Sequence, residues 1–347
     1  MNFKLKEDKF HVRAYFAPCA CKCKFCCLGE YRPSNMIAFE DYAKVMKKFS
    51  VVEKEYGMRL RSFIYNCAEH PYLKKQIELY DTLPMVRSEY TQLDLNGTRP
   101  KSESEISEWL DYLKNIGIEK VAFSWFGCRK QHDEFVSRNG YFDYLKNCAT
   151  ISKEKGILVK SKIFLYRSML PNLEIVVKEI SKLSDSTRFA FMEYTGNAKM
   201  MDDEFLTDSD LKSISSLADG YINPEYMEKF KSESEWTKMA LNNNFPDFNI
   251  VDYILYIEPQ NINYVLNERV EKIINDFRKM NIDFQNSIPD IKSLANEFGD
   301  VDSGIIYECR DVLRKWLDKY YSKYNLDKNR LFSFTNSSVE WKVYERL

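Results

Sequence analysis

Five cysteines crowd into nine positions near the start of this chain: Cys19, Cys21, Cys23, Cys26 and Cys27. A disulfide framework would spread its cysteines over the fold rather than pack them into one loop, because each bridge must join Cα atoms at a restricted separation. The whole 347-residue chain holds nine cysteines, an odd number. The opening Met1–Asp8 lacks the apolar stretch of a secretory signal, so the expected location is cytoplasmic, where thiols stay reduced and available to metals. Metal ligation is the better reading of the loop.

Within it, Cys19, Cys23 and Cys26 stand in the spacing CxxxCxxC, with the aromatic Phe25 just before the last. Three thiolates on one short loop can wrap three corners of a cubane [4Fe–4S] cluster. Most such clusters take four cysteines. Three leave one iron open to a substrate or cofactor. Cys21 and Cys27 fall off the spacing, and are either alternative ligands or bystander thiols.

The loop sits at the start of an alternating series. Residues 9–17 read as a strand, with Phe10, Val12, Ala14 and Phe16 at period two. Tyr42, Val45, Met46 and Phe49 recur at helical spacing. Residues 62–66 and 92–95 read as a second and a third strand. Ser102 with Glu105 forms a capping box for a helix carrying Ile106, Trp109, Leu110 and Leu113, closed by Gly117. Further strands are expected at 121–124, 157–166 and 189–192, with a helix through Tyr141, Leu145 and Cys148 between the first two. Strands alternating with helices predict right-handed βαβ units and a parallel sheet. The expected fold is α/β, a partial (β/α)6 TIM-type barrel over residues 1–200. Residues 201–347 are expected to be a mostly helical, substrate-contacting extension, with helices at 208–217, 265–280 and 305–324 and one more strand at 253–257.

The cysteine spacing directly after the first strand resembles the radical S-adenosylmethionine (SAM) superfamily. Three further stretches carry the resemblance, which covers about residues 9–217. Asn66-Cys67-Ala68-Glu69-His70-Pro71 is similar to the family's Gly-Gly-Glu-Pro motif, with both glycines replaced and His70 inserted. The resemblance implies that Glu69 helps hold the amino group of SAM. Ser124-Trp125-Phe126-Gly127, followed by His132-Asp133, resembles the Ser-x-Asp-Gly…His-Asp segment of the peptide-maturing and sulfatase-maturing branch. That implies Ser124 against SAM and a downstream arginine at its carboxylate, for which Arg138 is the candidate. Tyr194-Thr195-Gly196-Asn197-Ala198-Lys199 looks like the Gly-Arg-Ala stretch of the same branch. Phe25 is expected beside the cofactor. The implied cofactors are a [4Fe–4S] cluster and SAM, cleaved reductively to a 5′-deoxyadenosyl radical that abstracts hydrogen from substrate. A one-electron donor such as flavodoxin or ferredoxin would feed it.

Other residues admit two readings. Cys67 and Cys128 follow strand ends, which face the active site in a parallel barrel; each is a hydrogen-atom donor or a small apolar neighbour of the cofactor. Cys148 and Cys309 fall on apolar helix faces and read as core. His132 and Asp133 are an acid–base pair or a structural one. On the fifth strand either Ser161 or the Lys160/Lys162 pair faces the site, since period alone does not choose. The branch often carries a cysteine-rich C-terminal extension, but here only Cys309 follows Cys148, so a single cluster is expected.

Composition bounds the partners. A net charge of −1 supplies no basic excess for phosphate backbones, which argues against nucleic acid. No run of eighteen apolar residues is present to span a membrane. Three functions remain: a maturase acting on a peptide or protein side chain, a radical SAM enzyme for a small metabolite or nucleotide, and a non-enzymatic cysteine–metal or electron-transfer module. The resemblance favours the first.

Overall fold

The computed structural model describes residues 1, 3–26, 36–65, 67–69, 71–83, 91–218, 220–222, 224–326, 332–335 and 340–345. Strand β1 (Lys6–Tyr15) alternates as its sequence dictates, with Phe10, Val12 and Ala14 fully buried on one face and Lys9, His11 and Arg13 on the other. Helices α1 (Phe39–Phe49) and α2 (Val52–Tyr56) lead to β2 (Arg59–Tyr65), parallel to β1. Phe10 stacks on Phe49 with centroids 4.8 Å apart, so α1 covers the apolar face of β1. Helix α3 (Leu73–Asp81) escapes the sequence reading because its buried stripe includes Gln76, which donates to the Tyr80 hydroxyl at 3.0 Å.

Next come β3 (Gln92–Asp94), α4 (Glu103–Asn115), β4 (Lys120–Trp125), α5 (Arg129–Val136), α6 (Tyr141–Glu154), β5 (Leu158–Leu165), α7 (Leu173–Leu183) and β6 (Ser186–Phe191). The capping box of α4 is present: Ser102 N donates to Glu105 Oε2 at 2.7 Å, and the Ser102 side chain accepts from the Glu105 amide. Strands β3, β4, β5 and β6 are neighbours in that order and all parallel. Val121, Trp125, Val159 and Ile163 are completely buried on the face that α5 and α6 cover, where Trp125 meets Phe142 at 5.2 Å. Burying each such side chain stabilises the fold by roughly 1.5–3 kcal/mol. β6 begins three residues before its expected start because Ser186-Thr187-Arg188 is polar and carries no apolar alternation.

The remaining elements are α8 (Asp208–Ala218), α9 (Pro224–Met227), β7 (Phe230–Ser232), α10 (Glu233–Leu241), β8 (Ile250–Tyr256), α11 (Ile262–Asn267), α12 (Val270–Ser287), α13 (Ile291–Phe298), β9 (Ile306–Glu308), α14 (Cys309–Lys323), β10 (Phe332–Thr335) and β11 (Glu340–Glu345). β8 pairs in parallel with the free side of β1, and β11 in parallel with β8. The strand expected within the extension therefore belongs to the same sheet as β1. Phe277 of α12 packs edge-on against Phe10 at 5.6 Å, so this extension also helps cover that sheet.

The result is a mixed α/β fold with two main sheets, one ordered β10-β11-β8-β1-β2, in which only β10 runs antiparallel, and one wholly parallel, β3-β4-β5-β6. Among the described residues β2 and β3 exchange no ladder hydrogen bonds, and no closed barrel forms. β7 and β9 make a separate antiparallel pair. Helix α14 reaches back to the end of β6: Arg314 Nη1 donates to Tyr194 O at 2.6 Å, and Arg310 pairs with Glu193 at 3.1 Å and with Glu308 at 2.6 Å. No helix among the described residues is long and apolar enough to cross a membrane.

Candidate functional site

The cysteine loop is held down along its backbone. The amides of Lys22 and Lys24 donate to Val136 O and Phe135 O, at 3.0 and 2.9 Å. Those carbonyls close the last turn of α5, where a helix leaves its acceptors unsatisfied, so loop and helix end complete each other. Ala20 N donates to Gly97 O at 2.7 Å, beyond β3, and Asn197 N donates to Cys26 O at 3.0 Å, beyond β6. The loop thus lies across the C-terminal ends of β3, β4 and β6, where parallel α/β folds place their ligands.

Phe25 anchors it from below. Its ring sits among Phe126, Phe135 and Phe164 with centroids 4.8, 5.1 and 5.3 Å away. Arg138 lies beside the loop, and its Nη1 donates to Ala20 O at 2.6 Å, so in this structure it positions the main chain between Cys19 and Cys21.

Cys19, Cys23 and Cys26 are half-buried, whereas Cys21 is 2% exposed. The Cys21 thiol hydrogen-bonds to Cys19 and to Tyr141, and the Cys19 contact, then burial, push it well above the usual thiol range. Tyr141 is fixed in turn by Gly97 N at 2.7 Å and by Thr98 O at 3.1 Å. Among the described residues no disulfide forms, and no three His, Cys, Asp or Glu side chains close on one point as a ready metal set. The donor chemistry nevertheless fits an iron–sulfur cluster: three partly accessible thiols on one short, pinned loop. Cys27 and His70 lie outside the described residues. So does the side chain of Cys67, whose backbone forms a short 3₁₀ turn with Ala68 and Glu69.

The Glu69 side chain is 8% exposed and paired with Lys101, while its Oε2 accepts from Arg99 N at 2.7 Å. Lys101 lies over the Trp109 ring, 4.5 Å from its centroid. Gly97 and Arg99 connect the two parts of the site, since one holds the cysteine loop and the other holds Glu69. A carboxylate has about four acceptor positions, so Glu69 retains capacity for one more donor.

Ser124 ends β4 with its main chain bracketed by one side chain. Asn96 Oδ1 accepts from Ser124 N at 2.6 Å, and Asn96 Nδ2 donates to Ser124 O at 2.9 Å. Just beyond, Gly127 has φ +105°, and a Cβ there would meet Gln131 Cβ at 2.7 Å, so this turn demands glycine. It delivers Cys128 to the N-terminus of α5, half-exposed, its Sγ donating to Gln131 Oε1 at 3.3 Å.

Strand register decides which side of β5 accompanies Ser124. Ser124 pairs with Lys162, and Lys162 with Arg188; one pleat below, Asp94, Ala122 and Lys160 align. Residues in register share a face. Phe164 continues that face upward to Phe25 and the cysteine loop. Ser161 occupies the opposite face, 3% exposed, accepting from Trp125 Nε1 at 2.9 Å and bonded to Ser184. The structure therefore brings the lysine pair, not Ser161, to the side of Ser124.

His132 is fully buried, its Nδ1 accepting from Phe126 N at 3.2 Å, and burial lowers its pKa to about 3. Asp133 turns instead to the start of α6, accepting from Gly140 N at 2.6 Å and Phe142 N at 2.8 Å. The two are structural. Sequence reasoning missed Asp94, Asn96 and Arg188. Asn96-Gly97 reads as a bare turn signal, and the other two acquire a face only once register is known.

No family model matches the chain, and no curated protein matches it. Among solved structures it is similar to Streptococcus suis SuiB bound to the precursor peptide SuiA, at 13% identity and TM-score 0.48, over 75% of this chain and 61% of that one. It is also similar to SuiB bound to S-adenosylmethionine, at 14% identity and TM-score 0.44, over 62% of this chain and 48% of that one. A third is Escherichia coli HemN, a coproporphyrinogen III oxidase and radical SAM enzyme, at 11% identity and TM-score 0.38, over 62% and 54%. The chain spans about half to three-fifths of the length of these proteins.

Proposed function

We propose that this chain is a radical SAM enzyme built on a partial barrel, and that residues 201–347 contribute to its substrate side. The observation that carries the proposal is the CxxxCxxC loop strapped over the C-terminal strand ends, on the same face as Ser124. Cys19, Cys23 and Cys26 would hold a [4Fe–4S] cluster, which with bound SAM supplies one-electron cleavage of the C5′–S bond and hence a hydrogen-abstracting 5′-deoxyadenosyl radical.

The chain's own residues bind, orient and exclude water. Glu69, kept in place by Lys101 and Arg99, accepts from the amino group of SAM. The Ser124 hydroxyl makes no protein hydrogen bond among the described residues, and Asn96 keeps its main chain rigid, so it is available to the cofactor. Phe25, Phe126 and Phe164 form an apolar wall that keeps water from the reacting centre. Cys128, and Cys67 after β2, are the thiols that could return a hydrogen atom to a substrate radical. Lys22 and Lys24 are exposed beside the thiols and would dock an acidic one-electron donor of the flavodoxin or ferredoxin kind. The substrate we favour is a peptide or protein side chain, on the residue likeness around Ser124 and Gly196 to the peptide-maturing branch.

Anaerobic reconstitution with iron and sulfide, reduction and addition of SAM test this directly. 5′-Deoxyadenosine should accumulate in the parent chain. It should vanish when Cys19, Cys23 and Cys26 are all replaced by Ala. Absence from the parent, or persistence in the triple variant, would falsify the assignment.

A further inference from the structure

Four charged side chains on the β3–β6 sheet lie near one another without a direct ion pair. Asp94, Lys160, Lys162 and Arg188 make no ion pair or side-chain hydrogen bond among the described residues. Elsewhere the chain pairs half-buried and buried charges closely, as in Arg278 with Glu7 at 2.6 Å and the buried Lys315 with Glu233 at 2.9 Å. The four share the face of Ser124, and the cysteine loop closes its upper end through Phe25 on Phe164.

Lys160 and Arg188 are exposed on this face, beside Asp94 and Lys162. Asp94 is exposed, yet desolvation raises its carboxyl pKa against the pull of Lys162 and Arg188. Lys162 is half-buried, and burial lowers its ammonium pKa despite Asp94. Its Nζ lies 5.5 Å from the centroid of Phe164. Keeping an unpaired ammonium partly out of water is unfavourable unless something else satisfies it. Three cations against Asp94 leave the face net positive, since Glu193, which also acts on Lys162, is paired with Arg310. Lys162 and Arg188 stand in register on adjacent strands, about 4.8 Å apart in a sheet, a spacing at which two cations can share one anion.

We propose that Lys162 and Arg188, with Lys160 beneath them, bind an anionic group of the substrate, a carboxylate or a phosphoryl group, while Asp94 accepts a hydrogen bond from a donor next to it. This rests on the proposed radical SAM reading only in calling the ligand the substrate; the anion site stands on the unpaired charges alone. It deepens that reading by restricting the substrate to molecules or peptide segments that carry negative charge close to the reacting carbon.

Citrate and inorganic pyrophosphate are suitable probes, titrated calorimetrically into the reconstituted protein at low salt, with choline as the cationic control. At least one anion should bind the parent, and binding should weaken ten-fold or more when Lys162 and Arg188 are both replaced by Met. Lys162→Arg should keep it, and Asp94→Asn should strengthen it several-fold by removing the opposing charge. Preference for citrate identifies a carboxylate-bearing substrate; preference for pyrophosphate identifies a phosphorylated one. Iron content and thermal melting verify that the double variant is folded, and Arg188→Gln at its exposed position replaces it if not. The affinity for SAM, measured on the same samples, should be unchanged. The proposal is overturned if neither anion binds, if parent and variant bind alike, or if SAM affinity falls ten-fold, which would assign the cations to the cofactor. Because the readout is binding, a chain that bound citrate but formed no 5′-deoxyadenosine would sink the enzymatic reading and leave the anion site standing.

Discussion

At the residue scale, the loop separates its cysteines by environment. Cys21 is buried and committed to Cys19 and Tyr141, while Cys19, Cys23 and Cys26 keep part of their surface accessible. On the proposed cluster Cys21 would be a positioning residue beside Cys19, since hydrogen bonds to ligand sulfurs are one means by which a protein tunes cluster potential. Cys21→Ala should retain the iron and sulfide of the parent after reconstitution but shift the midpoint potential in a spectroelectrochemical titration. Iron loss as complete as in Cys19→Ala would instead make Cys21 a ligand. How far such detail is legible in sequence varies residue by residue. The spacing of the trio was visible because three ligands on one loop obey a local rule. The partners of Glu69 were not, since Lys101 and Arg99 arrive from a different loop some thirty positions on. Ser161 and Lys162 could not be told apart because alternation names two faces without saying which one helices cover.

At the element scale, helix ends do much of the positioning. The start of α6 is capped from outside by Asp133, and the same helix carries Tyr141 to Cys21. Asp133→Ala should cost about 1–2 kcal/mol in urea unfolding, as losing a cap does; no measurable loss would mean the two amides find other acceptors. Helix α14 starts in a buried charge cluster where Glu308, beside Arg310 and Asp311, has its carboxyl pushed up to about 7, chiefly by burial. The folded chain then keeps a proton that the unfolded chain releases near the ordinary glutamate value of 4.5. Stability contributed by this group falls as pH rises from about 4.5 towards 7, and the loss persists above, on the order of 3 kcal/mol. Glu308→Gln should accordingly lose less stability than the parent between about pH 5 and pH 8 in paired urea titrations. Equal losses would show that Glu308 is already ionised throughout.

At the scale of the whole molecule, the alternation of strands and helices was readable through β6, because each strand buries one apolar face under helices. What joins the pieces was not readable. β8 sits beside β1 across more than two hundred residues of sequence, and nothing local announces a pairing of that span. β11 follows the same logic one strand further out. Both bring the C-terminal third of the chain to the sheet from which the cysteine loop springs. The central claim, that Cys19, Cys23 and Cys26 hold a SAM-binding cluster with one open iron, is tested most directly by electron paramagnetic resonance of the reconstituted, reduced protein. We expect the signal of a one-electron-reduced [4Fe–4S] cluster that changes shape when SAM is added and is absent from the triple Ala variant. A signal indifferent to SAM, or one that survives loss of all three cysteines, would contradict it.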